Sequence, residues 1–176
     1  MAAKGNNQET IFIGHLTPSP LGPIWVAISK SGLVAVEINH GLEAFRNQLE
    51  RMGYGQVKVD QSNTAPVLQE ISEYLDGKRQ DFTMPIDWSG LTPFQVQVLR
   101  ATANIPYGQV ATYGEIARQL GKPQAARAVG RAEATNPMPL VIPCHRVVGA
   151  DGSLHGYGAG EGLATKAWLL DLERRS

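Results

Sequence analysis

The sequence predicts two domains of different class. Residues 1–90 read as an α/β domain, a small antiparallel sheet with helices, and residues 91–176 as a mainly α domain containing a helix-turn-helix. Three observations predict this. Short β-type runs separated by turn residues dominate the start of the chain, and two capped helical segments joined by a glycine-containing turn follow residue 110. The 176 residues, 43% of them hydrophobic, can form one substantial core or two small ones.

The first half opens with three strand-like runs whose intervening turns predict an antiparallel meander. These are residues 10–16, 24–29 and 33–38. Apolar residues at helical spacing then predict helices over residues 42–52 and 66–75, with a short strand at 57–59 between them. Residues 81–89 look extended, and we place the domain boundary near Gly90. Because this half contains no catalytic constellation, we interpret it as a scaffold.

Charge is distributed unevenly between the halves. The net charge is zero, which by itself argues against a nucleic-acid binder. Residues 1–90 hold 7 Lys and Arg against 10 Asp and Glu, a net of −3, whereas residues 91–176 hold 9 against 6, a net of +3. The asymmetry suggests an acidic scaffold joined to a basic working half.

Membrane, disulfide and metal-binding classes are not indicated. No stretch approaches the roughly 20 apolar residues of a membrane span, and residues 1–7 lack a hydrophobic signal core. We therefore expect a cytoplasmic or nuclear protein with no membrane partner. A single cysteine excludes an internal disulfide. The four histidines are scattered without a second cysteine, so no metal site is predicted.

Capping signals mark the helices of the second half. Thr92, Pro93 and Gln95 are typical of a helix start, and the spacing of the following apolar residues turns one helix face inward. Thr112 and Glu115 form a second capping box. Glycine at 121 and proline at 123 then end one helix and begin the next, which predicts a helix-turn-helix; a packed helical hairpin is the alternative.

The second helix of this pair combines small side chains with two arginines four residues apart. Small residues let a helix backbone approach a groove closely, and arginines supply phosphate contacts or a group that inserts into the base stack. Glu133 on the same helix would bring a negative charge near phosphates, which weighs against DNA binding. The candidate contacts are Ala125, Ala126, Arg127, Gly130 and Arg131.

Residues 140–149 form an apolar, strand-like run that contains the lone cysteine. A thiol with a pKa of about 8.5 is a nucleophile only as thiolate. His145 beside Cys144 is positioned to take its proton, and Arg146 would add positive potential. Asn136, which ends the preceding helix before a proline, would tie that helix to the cysteine segment or act as a plain turn former. A buried structural cysteine is the alternative to a reactive one.

The chain ends with a glycine-rich loop and a helix. The loop, residues 149–162, would wall a pocket or lie idle on the surface. The helix, residues 163–173, is predicted to pack through Leu163, Ala167 and Leu170. Glu173 at its end either faces the cysteine segment or is solvated.

Taken together, Asn136-Pro137, the Pro-Cys-His-Arg-Val motif at 143–147 and the helices from 113 to 130 resemble the O6-alkylguanine-DNA alkyltransferase family. The likeness covers the carboxy-terminal half, while the first half resembles the family only in the order of its elements. It implies a DNA repair protein that moves an alkyl group from O6-alkylguanine, with O4-alkylthymine as a second substrate, irreversibly onto its own cysteine. It also implies binding in the minor groove of double-stranded DNA. With one cysteine, the protein should act once, and we expect no cofactor. Oligomeric state stays open, although a one-shot repair module needs no partner and a monomer is expected.

The resemblance assigns roles to individual residues. Cys144 would accept the alkyl group, His145 would act through a water as its base, and Glu173 would orient His145. Tyr113 would donate a proton to the departing guanine.

For DNA, the resemblance implies that Arg127 takes the place of the extruded nucleotide in the stack and that Asn136 is the hinge to the active segment. The substrate pocket would be formed by Pro139, Val147, Tyr157 and Gly158. The chain departs from the family where the loop after Tyr157 is longer than the usual Gly-Gly-Leu and Gly158 replaces a commoner polar residue.

Two other functions stay open from the residues. A thiol hydrolase using Cys144, His145 and Glu173 would turn over through an acyl-enzyme. A lesion-sensing DNA-binding module would bind without transfer, although such a module has no need of Cys144.

Overall fold

The computed structural model describes residues 9–176 and divides into two compact units between Leu91 and Thr92. This division lies one residue beyond the boundary placed from the sequence. Residues 1–7, in which we expect no signal sequence, lie outside the described residues. Within the described part, no helix is both long and apolar enough to cross a membrane.

The first unit is built on a four-stranded sheet. Its strands are β1 (Ile11–Leu16), β2 (Ile24–Ser29), β3 (Gly32–Ile38) and β4 (Val57–Val59). The order is β3-β2-β1-β4, with the first three strands antiparallel as predicted. The short β4 pairs parallel to β1, so the sheet is mixed rather than wholly antiparallel.

Two helices belong to this sheet domain, α1 (Leu42–Arg51) and α2 (Gln61–Leu75). Phe45 and Leu49 of α1 are fully buried against the sheet, which follows from their helical spacing. The prediction that α2 begins at Pro66 is wrong. Asp60 caps the helix by accepting a hydrogen bond from the backbone N–H of Asn63 at 3.0 Å, so α2 begins five residues earlier and Pro66 lies inside it.

The second unit is mainly helical. Its helices are α3 (Pro93–Ala103), α4 (Tyr113–Gln119), α5 (Ala126–Ala134) and α6 (Leu163–Arg175). Two short strands, β5 (Ala111–Thr112) and β6 (Val147–Val148), pair parallel. Val98, Ile116, Val129 and Val147 meet in its core. The predicted fold class, a small sheet with helices followed by a mainly α domain, is confirmed.

Helices α4 and α5 form the predicted helix-turn-helix. Thr112 caps α4 through its capping box with Glu115, as expected. The second helix does not begin at Pro123, however. Ala125 donates its backbone N–H to the carbonyl of Lys122 at 2.8 Å, so residues 122–125 form a turn and α5 begins at Ala126.

The predicted packing face of α6 is wrong. Leu163 and Ala167 are exposed, whereas Lys166, Leu169 and Glu173 are buried with Leu170. The helix is rotated relative to the prediction because two charged side chains find polar partners inside the domain, which lets them occupy the inner face.

Candidate active site

The cysteine segment is a turn rather than a strand. Cys144–Arg146 form a single turn of 3-10 helix, and the two residues of β6 follow directly. Leu140 has φ 73°, outside the range of a strand, and Pro143 has no N–H to give a sheet ladder. The strand prediction is therefore wrong for residues 140–146. Burial of the segment, by contrast, is as expected, because residues 137–149 are all buried.

Asn136 joins the end of α5 to the thiol. Its side-chain Nδ2 donates to the carbonyl of Ile142 at 3.0 Å and to Sγ of Cys144 at 3.1 Å. Its Oδ1 accepts the backbone N–H of Met138 at 2.9 Å. The amide thus holds the segment through three hydrogen bonds, one of them on the sulfur itself.

The Cys144 thiol is protonated in the resting protein. Burial raises its pKa to about 12, and the negative charge of Glu133 adds to the rise. The hydrogen bond from Asn136 and the positive charge of Lys166 oppose that rise without cancelling it. A nucleophilic sulfur therefore requires a base that removes the proton in the course of the reaction.

His145 is a neutral imidazole suited to be that base. It is fully buried, and its Nε2 lies 2.7 Å from Oε1 of Glu173. Burial lowers the His145 pKa, although the Glu173 carboxylate pulls in the other direction. With the ring neutral, the Nε2 hydrogen donates to the carboxylate, which leaves Nδ1 as the basic nitrogen.

Glu173 is the centre of a buried hydrogen-bond network. Besides His145, it accepts from Nε of Arg146 at 3.0 Å and from the backbone N–H of Gly108 at 3.0 Å. Arg146 also donates to the carbonyl of Ile105 at 2.6 Å. The Arg146 charge is therefore paired with Glu173. The geometry favours this ion pair over the predicted effect of Arg146 on the thiol.

Tyr113 opens α4 and lines a cavity of about 500 Å³. Burial raises the pKa of its hydroxyl, and the charges of Glu133 and Cys144 raise it further, so the phenol keeps its proton. Three of the predicted DNA-contacting residues line the same cavity, namely Ala126, Arg127 and Gly130. Arg127 and Arg131 are both exposed, while Ala125 and Arg131 lie outside the cavity lining.

The predicted pocket residues occupy different positions. Pro139 and Val147 are buried, and Val147 belongs to the core. Tyr157 and Gly158 lie on the loop, and none of the four lines the cavity beside Tyr113. A β-carbon on Gly158 would stand 3.2 Å from the carbonyl oxygen of Ala134, so the loop passes close to the end of α5 at this point. A side chain at this position would therefore crowd the end of α5.

Glu133 does not face solvent, which corrects the sequence interpretation. It is 7% exposed, its Oε1 accepts a hydrogen bond from the Thr102 hydroxyl, and Oε2 is buried without a partner. Burial raises its pKa to about 7. Because the Glu133 side chain is buried, it is not an argument against contact with phosphates. Its charge instead raises the pKa values of Cys144 and Tyr113.

Lys166 is a buried side chain that sequence reasoning missed. Its Nζ donates to the carbonyls of Val147 at 2.6 Å and His155 at 3.0 Å, joining β6 to the glycine-rich loop. Burial lowers its pKa, and the nearby Cys144 and Glu133 counter that shift. Lys166 and Glu173 are seven residues apart, which is two helical turns. This spacing is the feature of the sequence that indicates that both lie on one face of α6.

A helix-turn-helix with two exposed arginines, in the same unit as a buried thiol followed by a buried histidine, is the arrangement expected of a DNA-binding protein with a cysteine nucleophile. The sequence profiles of known families agree with this. Residues 13–88 match the ribonuclease-like domain of 6-O-methylguanine DNA methyltransferase, and residues 93–175 match the DNA binding domain of the same family.

Individual relatives give the same result. The chain is 42% identical over 154 residues to the inducible methylated-DNA–protein-cysteine methyltransferase of Bacillus subtilis, covering 86% of this chain and 84% of the relative. The O6-methylguanine methyltransferase of Mycobacterium tuberculosis superposes with a TM-score of 0.79 at 34% identity, covering 94% of each chain. A structure of the M. tuberculosis OGT in complex with DNA aligns over 93% of each chain with a TM-score of 0.78 and 34% identity.

The chain belongs to the methylated-DNA–protein-cysteine methyltransferase family. The resemblance drawn from the cysteine motif is thereby confirmed.

Proposed function

We propose that this protein repairs double-stranded DNA by moving the alkyl group of O6-alkylguanine, and of O4-alkylthymine, onto Cys144 in a single turnover. The observation that carries the proposal is the buried thiol held by Asn136 beside the His145–Glu173 pair. In this proposal residues 91–176 are the DNA-binding and alkyl-acceptor domain and residues 1–90 are the scaffold. The protein acts as a monomer on the minor groove.

The proposed reaction begins with base extrusion. An alkyl group on a paired base lies inside the duplex, so the nucleotide must leave the stack, at a cost of a few kcal/mol that is smallest for a damaged pair. Arg127, exposed on α5 and lining the Tyr113 cavity, fills the vacated position. The glycine and alanine residues of α5 allow the helix backbone to approach the minor groove.

The chemical step exchanges one carbon–oxygen bond for one carbon–sulfur bond. His145 takes the thiol proton through a water, and Glu173 stabilises the imidazolium that results. The sulfur attacks the alkyl carbon as the bond to the guanine oxygen breaks. Tyr113, whose phenol is protonated, donates to the departing base. The imidazolium of His145 then returns the thiol proton to the Tyr113 phenolate, so the net proton movement is from thiol to guanine. The product is a thioether, which thiol exchange does not reverse, and the protein acts once.

The test is incubation with duplex DNA containing O6-methylguanine, followed by mass analysis of the Cys144 peptide. We expect one methyl group on that peptide and unmodified guanine in the DNA, with a parallel duplex containing O4-methylthymine giving the same adduct. Cys144→Ala should bind the duplex without removing the methyl group. Transfer by Cys144→Ala contradicts the assignment, and binding by the native protein with no mass gain indicates lesion sensing.

A further inference from the structure

A buried carboxyl group with one unpaired oxygen lies in the last turn of α5. This group is the side chain of Glu133, which is 7% exposed. Among the described residues, its Oε2 has no hydrogen-bond partner. Burying a carboxyl group is costly, and the reaction proposed above gives Glu133 no role. Its position next to the reactive segment therefore requires an explanation.

The one hydrogen bond of the Glu133 side chain is shared. The Thr102 hydroxyl of α3 bonds to Oε1, and the same hydroxyl oxygen lies 3.1 Å from the carbonyl oxygen of Val98. A hydroxyl has a single hydrogen, so these two acceptors compete for it. A charged Glu133 would thus hold at most one hydrogen bond on its two oxygens. This environment favours the uncharged acid, in agreement with a Glu133 pKa that burial raises to about 7.

A short hydrogen-bonded path connects Glu133 to the reactive sulfur. The backbone carbonyl of Glu133 accepts the backbone N–H of Asn136 at 3.1 Å. The Asn136 side chain in turn donates to Sγ of Cys144 at 3.1 Å. At this range the negative charge of Glu133 raises the pKa of the Cys144 thiol and that of the Tyr113 hydroxyl.

The groups that bear on Glu133 come from the elements packed around it. Of these groups, Lys166 carries a charge, and it favours the carboxylate, as the hydrogen bond from Thr102 also does. The arginines of α5 itself are exposed, and Arg146 is paired with Glu173. The facing groups are Thr102 of α3, Tyr113 of α4, Cys144 of the 3-10 turn and Lys166 of α6.

Cys144 and Glu133 compete for the positive charge of Lys166. If both groups lost their protons, two anions would lie in a buried site beside that lysine. Loss of the proton from one group therefore disfavours its loss from the other. Because the sulfur is a nucleophile only as the thiolate, a reactive Cys144 is favoured by a Glu133 that keeps its proton.

We propose that Glu133 is a positioning residue that acts through Cys144, admitting a thiolate beside it as the uncharged acid and opposing one as the carboxylate. Its bearing on repair rests on the proposed function, whereas its effect on the sulfur does not require DNA. The consequence is that the reactivity of Cys144 rises less steeply above neutral pH than deprotonation of the thiol alone would produce.

The test compares Glu133→Gln with the native protein in the rate of Cys144 alkylation by iodoacetamide, from about pH 5.5 to about pH 9. The amide keeps an acceptor for Thr102 and stays uncharged throughout. The two rates should agree at the lower pH, where Glu133 is protonated. At the higher pH the variant should be about tenfold faster, the effect of one unit in the thiol pKa. Because Cys144 and His145 are present in both proteins, their own titrations cancel in the ratio of rates.

Two further variants make the result specific. Thr102→Val removes the hydrogen bond that lowers the Glu133 pKa, so the pH at which alkylation falls behind that of Glu133→Gln should be higher than in the native protein. Measured against the native protein, the profile of Thr102→Val also tests the inference if Glu133→Gln does not fold. Glu50→Gln, at an exposed position of α1, should behave as the native protein does.

Two results would overturn the inference: a rate ratio that is constant over the pH range, or a Thr102→Val profile that coincides with the native one. Methyl transfer from duplex DNA containing O6-methylguanine should give the same ratio as iodoacetamide. If the native protein transfers no methyl group while the iodoacetamide ratio changes as expected, the proposed function fails and the effect of Glu133 on the sulfur stands.

Discussion

At the scale of single residues, the reactive sulfur is protected by its surroundings. Burial raises the Cys144 pKa and keeps the thiol protonated, and burial also lowers the His145 pKa and keeps the imidazole neutral. This favours transfer to a bound electrophile over reaction with small oxidants in solution. The hydrogen bond that Asn136 donates to the sulfur lowers the Cys144 pKa and so opposes the effect of burial.

Replacing Asn136 should therefore reduce thiol reactivity. Asn136→Ala removes the donor to Sγ, which raises the thiol pKa and should slow alkylation of Cys144 by iodoacetamide about tenfold at fixed pH, on the scale of one charge-assisted hydrogen bond. The measurement is the rate of adduct formation against pH by mass analysis. Asn104→Ala, at the exposed end of α3, is the matched control. A rate profile that coincides with the native one would show that the amide does not act on the sulfur.

Glu133 predicts an unusual dependence of stability on pH. Its folded pKa is about 7 against an ordinary value of 4.5, so between these values the folded chain holds a proton that the unfolded chain has lost. The free energy of unfolding should then fall as the pH rises across this interval, by up to roughly 3 kcal/mol, and change no further above it.

Urea unfolding at about pH 5 and about pH 8 tests this. Glu133→Gln keeps an acceptor for the Thr102 hydroxyl but does not titrate, so the variant should lose this decline and be the more stable protein at the higher pH. Glu161→Gln, at an exposed loop position, should retain the native behaviour. An unchanged decline in Glu133→Gln would mean that other groups produce it.

At the scale of elements, local capping chemistry was the most informative part of the sequence. Thr92 and Thr112 identify the starts of α3 and α4 because their capping boxes involve only residues three apart. Two residues signal a start for α2, the capping residue Asp60 and Pro66, and the helix begins after Asp60. The hydrogen-bonded turn before α5 likewise outweighs the proline at 123.

The inner face of α6 and the cysteine turn show what local pattern does not contain. Lys166 and Glu173 are buried because carbonyl and charged groups from distant parts of the chain satisfy their hydrogen-bonding capacity. A prediction from the spacing of hydrophobic residues places charged side chains like these on the solvent face. The same holds for Glu133, whose partner Thr102 is 31 residues away. The chemical identity of the site was available from Cys144, His145 and Asn136, but the electrostatics around it required the tertiary structure.

Helix capping also gives a test that separates stability from reactivity. Thr112→Ala should cost about 1 kcal/mol, as should Thr92→Ala, because each removes one capping box. Only the first loosens the helix end that begins with Tyr113, so it should also slow methyl transfer from duplex DNA. The measurements are urea unfolding and single-turnover rates. Equal transfer rates in the two variants would show that the α4 start does not position the tyrosine.

At the scale of the whole molecule, the described contacts of Cys144, His145 and Glu173 all lie within Thr92–Ser176. The same segment holds the helix-turn-helix and the net positive charge of the second half. Chemistry and the proposed DNA contact are thus built on one compact unit. The acidic first unit contributes a sheet and two helices but none of the candidate site residues.

The most direct test of the proposed function is a count of methyl groups removed per protein chain. Native protein is mixed with an excess of duplex containing O6-methylguanine, and restored guanine is followed over time against active protein. We predict a plateau at one guanine restored per chain, with one methyl group on each Cys144 peptide. Continued release of guanine beyond one per chain, or a plateau without modified Cys144, would contradict the account of this cysteine as a sacrificial acceptor.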